Sequence, residues 1–176
     1  MVETVEVLLS SEDIAKRIKE LGAQITKDYE GKSVVLLGVL KGAIHFTSDL
    51  SRELPLDVEI NFIKPSSYGD GTVSSGTVSL DYIPTENLKD RHVIIVEDIV
   101  DTGHTAVKLK DYFADQGLAS LKFCALLDKP DRREAKDLTI DYLGFAIPDK
   151  FVIGYGLDYA QRYRNLPYVG VLKGAS

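Results

Sequence analysis

Apolar positions along the chain follow two spacings. Between residues 11 and 29 they recur every three or four positions, which predicts an amphipathic helix capped by Ser10 or Ser11. The buried face of this helix would hold Ile14, Ile18, Leu21 and Ile25. Mostly apolar runs occupy residues 33–39, 93–96 and 121–127, as is typical of strands covered on both faces in a parallel sheet.

Shorter patterns fill the intervals between these elements. Val58, Ile60 and Phe62 alternate with polar neighbours, which predicts a more exposed or edge strand. Further strands are predicted over 77–82, 142–147 and 151–155, with a hint of one within 1–9, and helices over 43–54 and from about 104 to Gln116, where Gly117 ends the helix. Strands that alternate with helices indicate an α/β fold with a central, mainly parallel sheet flanked by helices.

One segment breaks the pattern. Residues 64–76, KPSSYGDGTVSSG, are rich in glycine and serine and make a long loop for a compact domain. Loops of this length and composition often act as lids over a binding site. We therefore expect this segment to take part in function.

Length, charge and cysteine content restrict the class of protein. A chain of 176 residues is long enough for one domain with a substantial core, and its net charge of -6 argues against broad nucleic-acid binding. No apolar stretch reaches the ~18 residues of a membrane span, and the acidic N-terminus lacks a signal-peptide layout. A single cysteine, Cys124 in LKFCALL, predicts a buried thiol in a reducing compartment. We expect a cytoplasmic protein without a membrane partner.

Unusual residue clusters follow the predicted strands. They are Lys41–Gly42, Glu97–Thr105, Asp128–Lys129 and Gly154–Asp158. Ligands of parallel α/β sheets bind at the carboxyl ends of the strands. The sequence therefore predicts one binding site built from these four clusters.

The stretch VEDIVDTGHT, residues 96–105, carries the clearest chemistry. Thr102, Gly103, His104 and Thr105 open a predicted helix, where free backbone amides and hydroxyl groups favour an anion. The spacing matches neither a P-loop nor a dinucleotide-binding motif, so a monophosphate is the expected anion.

The acids of this stretch point to a sugar phosphate. Glu97 and Asp98 suit ribose hydroxyls or a nearby Mg²⁺, and Asp101 is free to exchange a proton with a reacting group. The alternative is an ordinary helix N-terminus with solvated acids. Three acids in five positions repel one another, however, unless hydroxyl groups or cations compensate.

Five segments together resemble the hypoxanthine-guanine phosphoribosyltransferase family. They are LKG at 40–42, SSYGDGT at 66–72, VEDIVDTGHT at 96–105, LLDKP at 126–130 and DKFVIGYGLDYAQRYRNLPYVG at 149–170. The resemblance implies a type I phosphoribosyltransferase fold as a single domain over 1–176. Its core would span about 11–145, with a small hood subdomain from about 1–10 and 146–176.

The resemblance also implies a reaction. The chain would be a glycosyltransferase of purine salvage that transfers the phosphoribosyl group of PRPP to N9 of hypoxanthine or guanine. The products would be IMP or GMP and pyrophosphate, and Mg²⁺ would be the cofactor. Family members suggest a homodimer or homotetramer. The preference among hypoxanthine, guanine and xanthine stays open.

Residue roles follow from the matching positions. Glu97 and Asp98 would bind the ribose hydroxyls, and residues 101–105 would hold the 5′-phosphate. Asp101 would be the acid/base at purine N7. The purine would meet Lys129 at its 6-oxo group, Phe151 by stacking and the Val152 backbone at its N1/C2 edge.

The remaining roles concern pyrophosphate, metal and loop closure. Asp158 would be the protein ligand of Mg²⁺, with Glu97 and Asp98 involved indirectly at most. Arg164 and the Lys41–Gly42 turn, with a non-proline cis peptide, would contact pyrophosphate. Ser67 and Tyr68 would close over the site. A contact between the His104 side chain and phosphate stays open.

Two rival functions share this fold. A PRPP-sensing regulator that binds nucleic acid would keep the phosphate loop but would not need Asp101, Lys129 or Phe151. A phosphoribosyltransferase for another base is the second rival. Orotate and adenine enzymes do not match at Asp101, whereas the xanthine-guanine branch is closer.

Overall fold

The computed structural model describes residues 4–66, 79–84 and 86–174. Its elements are β1 (Thr4–Leu9), α1 (Ser11–Asp28), β2 (Ser33–Val39), α2 (Ile44–Arg52), β3 (Asp57–Pro65), β4 (Leu80–Tyr82), β5 (His92–Val100), α3 (His104–Phe113), β6 (Ser120–Asp128), β7 (Tyr142–Ala146), β8 (Val152–Ile153) and β9 (Val169–Lys173). A 3₁₀ turn, Pro130–Arg132, follows β6.

The first helix forms as its sequence predicts. The Ser10 hydroxyl accepts from the Asp13 amide at 3.1 Å, which satisfies one of the free amides of the first turn. Glu12 and Asp13 lie at the positive end of the helix dipole. The buried side chains include Ile14, Ile18, Leu21 and Ile25.

A six-stranded sheet in the order β4-β3-β2-β5-β6-β7 forms the centre of the fold. Every neighbouring pair is parallel except β3 with β4, so the predicted, mainly parallel sheet is confirmed. Strand β3 is more exposed than β2, as predicted, but it is next to the edge, and the edge position belongs to β4. Because β2, β5 and β6 are neighbours and parallel, their carboxyl ends lie side by side.

Side chains of the central strands alternate between two cores. Val34 and Leu36 join the core that contains α1 and α2, while Val35 and Leu37 join the core that contains α3. All four are fully buried, which explains why this strand is apolar throughout. Replacing one such leucine by alanine would cost about 2–5 kcal/mol of stability.

A second sheet joins the two ends of the chain. Its three strands have the order β1-β9-β8, and Thr4 of β1 pairs with Lys173 of β9. The predicted strand over 151–155 is correct only at Val152–Ile153, and it belongs to this second sheet. Strand β9 was not predicted.

Several other boundaries differ from prediction. The strand β3 continues through Lys64 and Pro65, so the predicted loop begins later than expected. Helix α3 ends at Phe113, and a turn leads to Gly117, whose φ of +68° favours glycine. Residues 67–78 lie outside the described part of the chain, and with them the predicted roles of Ser67 and Tyr68.

Cys124 lies in β6, a strand of the central sheet. Cys124 is a free, fully buried thiol whose pKa is raised by burial, as predicted for a small apolar side chain. No helix in the described ranges is long and apolar enough to cross a membrane.

Candidate active site

Glu97 and Asp98 lie inside strand β5, near its carboxyl end, and not in the loop that follows it. The strand continues to Val100, with Glu97 opposite Ala125 and Ile99 opposite Leu127 of β6. Glu97 is buried, and Asp98 Oδ1 accepts from the Ile99 amide at 2.8 Å. Strand pairing thus fixes both acids at the carboxyl edge of the sheet.

These two acids are held in an environment that disfavours their charge. Burial, and then the neighbouring charge of Asp98, raises the pKa of Glu97 well above its usual range. Burial raises the pKa of Asp98 to about 6, and the hydrogen bond from the Ile99 amide and then the nearby Arg164 guanidinium offset part of this effect. Such carboxylates gain most from hydroxyl groups or cations supplied by a ligand.

A cavity of about 220 Å³ lies between these acids and the start of α3. It is lined by Glu97, Asp98, Ile99, Val100, Asp101, Thr102, Gly103, Thr105 and Ala106. The first-turn amides of α3 have no partners within the helix, and the N-cap residue Gly103 has no side chain to cap them. Free amides and the positive end of the helix dipole make the cavity suitable for an anion.

The shape of this loop depends on Gly103. Its φ of +89° is left-handed, and a Cβ atom there would lie 3.0 Å from the Ala135 Cβ. The Thr102 carbonyl accepts from the amides of Glu134 and Ala135, both at 3.0 Å. The segment after β6 therefore holds this loop through backbone hydrogen bonds.

The His104 side chain turns away from this cavity. Its Nε2 lies 2.6 Å from Glu134 Oε2, and both side chains are exposed. His104 does not line the cavity, although its backbone amide contacts the Thr102 hydroxyl at 3.4 Å. Its contribution to the site is therefore a backbone amide.

Asp101 is held by two arginines that the sequence analysis did not identify. Arg132 Nε lies 2.6 Å from Asp101 Oδ1, an ion pair outside hydrogen-bond geometry, and Oδ1 is closed off from solvent. Arg133 Nε donates to the Asp101 carbonyl at 3.4 Å, and its guanidinium also pairs with Asp128. The two arginines follow LLDKP after one residue, Asp131, and this proximity was the available signal.

Lys129 is buried at the end of β6. Its amide donates to the Val100 carbonyl at 3.0 Å, which ties it to the end of β5. Its side chain is only 9% exposed, and Nζ lies 3.7 Å from Asp149 Oδ1. A buried ammonium with one distant partner has donors left for a ligand.

Phe151 and Val152 have opposite environments. Phe151 is 54% exposed and meets Tyr159 edge to face, with ring centroids 5.8 Å apart. Val152 is buried and pairs with Val171 in the second sheet. An exposed aromatic ring beside ordered backbone is suited to stacking on a planar ligand.

The turn after β2 meets both Asp98 and the C-terminal loop. The Leu40–Lys41 peptide is cis, as expected for this turn. A Cβ on Gly42 would lie 1.8 Å from Asp98 Oδ2, and a Cβ on Gly156 would lie 2.0 Å from the Gly42 carbonyl oxygen. These two glycines allow three backbone segments to approach one another.

Arg164 organises the C-terminal loop. It donates to the Gly156 carbonyl at 2.7 Å and lies 3.3 Å from Asp158 Oδ1, while its buried Nε has no protein partner. Gln161, which the sequence analysis did not identify, accepts from Lys41 Nζ and Arg164 at 3.2 Å each. Left-handed backbone at Ala160, Gln161 and Tyr163 indicates local strain of the kind found at binding sites.

The four predicted clusters therefore meet, with one difference. Three lie at the ends of neighbouring strands of the central sheet, whereas Gly154–Asp158 follows β8 of the second sheet and approaches the Gly42 turn. Among the described residues, no group of three or more acids, histidines or cysteines is arranged to hold a metal ion. A metal here would need most of its ligands from a bound substrate.

Comparison with known proteins gives consistent results. The phosphoribosyl transferase domain matches residues 4–160. A hypoxanthine-guanine phosphoribosyltransferase from Streptococcus pneumoniae is 48% identical over 168 residues, which cover 96% of this chain and 93% of that protein.

Solved structures agree with these sequence matches. A Bacillus anthracis hypoxanthine-guanine phosphoribosyltransferase, crystallised with HEPES in its active site, has a TM-score of 0.89 and 47% identity, covering 94% of this chain and 97% of that chain. A Trypanosoma cruzi hypoxanthine phosphoribosyl transferase, solved to address the role of its C-terminal region in oligomeric state and activity, has a TM-score of 0.88 and 41% identity. The match covers 96% of this chain and 91% of that one.

Proposed function

We propose that this chain, which belongs to the phosphoribosyl transferase family and matches its hypoxanthine-guanine members over nearly its full length, is a purine-salvage enzyme. It transfers the 5-phosphoribosyl group of PRPP to N9 of hypoxanthine or guanine. The products are IMP or GMP and pyrophosphate.

One observation carries this proposal. The anion cavity of about 220 Å³ has Asp101 in its lining, and the Lys129 backbone is bonded to the end of the same strand, β5. A cavity suited to an anion, the Asp101 carboxylate and the buried Lys129 ammonium are thus gathered at one sheet edge, which supports the proposal. A sugar phosphate that reacts with a 6-oxopurine needs this combination.

The ribose and phosphate have separate partners in this proposal. The amides and hydroxyl groups of residues 101–105 bind the 5′-phosphate. Glu97 and Asp98 accept hydrogen bonds from the ribose hydroxyls, which compensates the cost of burying two acids. Lys41, Gly42 and Arg164 bind pyrophosphate, supported by the free Nε of Arg164.

The chemical step is a substitution at C1′. Purine N9 forms the new bond to C1′ while the bond from C1′ to the pyrophosphate oxygen breaks and both of its electrons leave with pyrophosphate. The proton on N7 passes to the Asp101 carboxylate, so the charge of the purine stays balanced. Positive charge develops on the sugar meanwhile, as in other glycosyl transfers.

Lys129 selects the base. Its ammonium donates to the 6-oxo oxygen of hypoxanthine or guanine, whereas the 6-amino group of adenine would set a second donor against the Lys129 ammonium. Phe151 stacks on the purine ring, and the Val152 backbone contacts its N1/C2 edge.

Mg²⁺ is the proposed cofactor, bound together with PRPP. The described residues fit a shared ion rather than a resident one, because Asp158 offers a carboxylate beside Arg164 without a cluster of further acids. When bound, the ion would neutralise charge on the pyrophosphate oxygens. Glu97 and Asp98 would act on it only indirectly.

Two structural parts complete the proposal. The second sheet, with residues 1–10 and 146–176, acts as a hood over the base, and residues 11–145 form the core of the single domain. Ser67 and Tyr68 close over the substrates to exclude water.

The free, buried Cys124 supports a cytoplasmic location. A homodimer or homotetramer is part of the proposal because the family resemblance implies it.

A parallel assay tests the function. Purified protein is given PRPP and Mg²⁺ with hypoxanthine, guanine, xanthine or adenine, and nucleotide formation is measured. Turnover of hypoxanthine or guanine with adenine inert is expected. Tight PRPP binding without any turnover, together with RNA retention in a filter assay, would favour a nucleic-acid-binding regulator of the same fold instead.

A further inference from the structure

Four charged side chains, which include Asp101, alternate in sign along a series of contacts. Arg132 lies between two acids, with Nε 2.6 Å from Asp101 Oδ1 and Nη1 3.8 Å from Asp149 Oδ2. Lys129 Nζ lies 3.7 Å from the other oxygen of Asp149. Lys129, Asp149, Arg132 and Asp101 therefore form a continuous series of opposite charges.

The two ends of this series are the groups proposed to meet one edge of a 6-oxopurine. The 6-oxo oxygen and N7 are neighbours on that edge of the ring. The proposed donor to the oxygen, Lys129, stands at one end of the series, and the proposed proton acceptor for N7, Asp101, stands at the other. Arg132 belongs to neither contact and lies between them.

Arg132 decides which oxygen of Asp101 is available. Oδ1 faces Arg132 and is closed off from solvent, yet the Asp101 side chain as a whole is 44% exposed. The exposed part of the carboxylate is therefore on its Oδ2 side. Without Arg132, nothing among the described contacts would stop the carboxylate from rotating about its last bond.

Arg132 is itself well placed for such a role. It ends the 3₁₀ turn Pro130–Arg132, and its amide donates to the Lys129 carbonyl at 3.0 Å. The Lys129 amide in turn donates to the Val100 carbonyl, next to Asp101. Two backbone hydrogen bonds thus link Arg132, through Lys129, to Val100, the residue that precedes Asp101.

We propose that Arg132 is a positioning residue, which holds Asp101 Oδ1 so that Oδ2 faces the N7 proton of the purine. This inference rests on the proposed function, because it assigns Arg132 a part in the same transfer. Arg132 does not touch the reacting atoms. Its effect passes through the orientation of Asp101.

The stability of the fold should depend little on this pair. Ion pairs between side chains exposed to this degree contribute only about 0–1 kcal/mol. Loss of Arg132 should therefore leave the melting temperature almost unchanged. Kinetics, rather than stability, is the informative measurement.

The experiment uses Arg132→Gln and Arg132→Lys in the full chain. Arg132→Gln should lower kcat for nucleotide formation about 10-fold and change the KM for PRPP less than about 2-fold, since orientation matters only for the chemical step. Arg132→Lys keeps a cation within reach of Oδ1 and should recover part of the loss. Arg91→Gln is the matched control, because Arg91 pairs with Glu59 at 2.8 Å at the start of β5, at the other end of the sheet.

A double-mutant cycle separates positioning from a general effect. In an Asp101→Asn background, Arg132→Gln should cost less than about 2-fold, because no carboxylate remains to be oriented. An equal loss in both backgrounds, or a kcat for Arg132→Gln within about 2-fold of the unmodified protein, would overturn the inference. If Arg132→Gln does not fold, the same cycle with Arg132→Lys decides between these outcomes.

The unmodified protein and Arg91→Gln distinguish a failure of the proposed function from a failure of the inference about Arg132. Turnover by both, with a selective loss in the Arg132 variants, supports the function and the inference together. Turnover by all of them at equal rates removes the inference and leaves the function. No turnover by the unmodified protein removes both.

Discussion

Gly156 lies directly over the backbone of Gly42, so that a methyl group on Gly156 would be 2.0 Å from the Gly42 carbonyl oxygen. Gly156 belongs to the loop after β8, and Gly42 to the turn after β2. The contact therefore joins the second sheet to the central sheet at the proposed pyrophosphate site. No side chain can be placed between the two segments without moving one of them.

Gly156→Ala should lower activity more than the addition of a single methyl group would suggest. The new methyl group would push the loop from the Lys41–Gly42 turn, and a shift of about 1 Å at a reacting site can cost about 100-fold in rate. We expect kcat/KM for PRPP to fall by about that factor. Stability should fall by roughly 2 kcal/mol or more, because Gly156 also has a φ of +101°.

Gly31→Ala is the control for this prediction. Gly31 also has a positive φ, +76°, but a Cβ there would meet nothing within 4 Å. It should lose only the roughly 1–2 kcal/mol due to backbone strain and keep its activity. Equal kinetic loss in both variants would show that strain, not contact between the two segments, is responsible.

Asp101→Asn tests the proton acceptor. The amide keeps the size and one acceptor oxygen of the carboxylate but cannot take the N7 proton. We expect kcat to fall about 100-fold, within the usual range for general base catalysis, while the KM for PRPP stays within about 3-fold. Steady-state kinetics at saturating purine gives both values, and near-normal kcat would refute the acid/base role.

Lys129→Met tests base selection. Methionine has a similar length and fits a buried position, so the fold should be kept, but the donor to the 6-oxo group is lost. Hydrogen bonds to charged groups contribute about 1.5–3 kcal/mol, so kcat/KM for hypoxanthine should fall roughly 10- to 100-fold. Lys136→Met, at an exposed position, should leave it unchanged. Unaltered preference for hypoxanthine over adenine in Lys129→Met would mean that another group reads the base.

Local patterns predicted the parts of the fold that local forces determine. The helix with Ile14 and Ile18 on one face and the apolar run of β2 were predictable, because burial imposes its period directly on the sequence. The helix start near Thr102 and its lining of a cavity were predictable because free amides at a helix start define a site suited to an anion without distant contacts.

The second sheet and the arginines required long-range information. Strand β8 has only two residues, too few to show a period, and β1 pairs with β9 from the other end of the chain. The contact of Arg132 with Asp101 depends on the direction of the 3₁₀ turn after Lys129, which residue types alone do not determine. Tertiary pairing, not local preference, decides both features.

His104→Ala should leave PRPP binding unchanged. The imidazole ring pairs with Glu134 at 2.6 Å outside the cavity, so only the backbone amide of His104 remains available to phosphate. We expect the KM for PRPP to stay within about 2-fold. Thr105→Val provides the contrast, because it removes a hydroxyl that lines the cavity and should raise this KM roughly 10-fold, the value of one good hydrogen bond. A large increase in the His104 variant would place its ring at the phosphate after all.

The stability of the ligand-free protein should depend on pH through Asp98. Because burial raises the pKa of Asp98 to about 6 from an ordinary value of 3.8, the folded state binds this proton more tightly than the unfolded state. The cost of the buried charge is therefore full above pH 6, falls as the pH decreases through about 6, and vanishes below 3.8. The difference of about two pKa units corresponds to an upper limit of about 3 kcal/mol.

Asp98→Asn isolates this contribution. The asparagine oxygen still accepts from the Ile99 amide, but it carries no charge at any pH. Its melting temperature should exceed that of the unmodified protein by several degrees at pH 8, since each kcal/mol shifts a domain of this size by roughly 2–4 °C. The gap should close as the pH falls from 7 to about 4. Asp115→Asn, an exposed acid beyond α3, should show no such pH-dependent gap. A constant difference between Asp98→Asn and the unmodified protein across this pH range would mean that Asp98 carries the same charge cost throughout and that its burial does not shift its proton affinity.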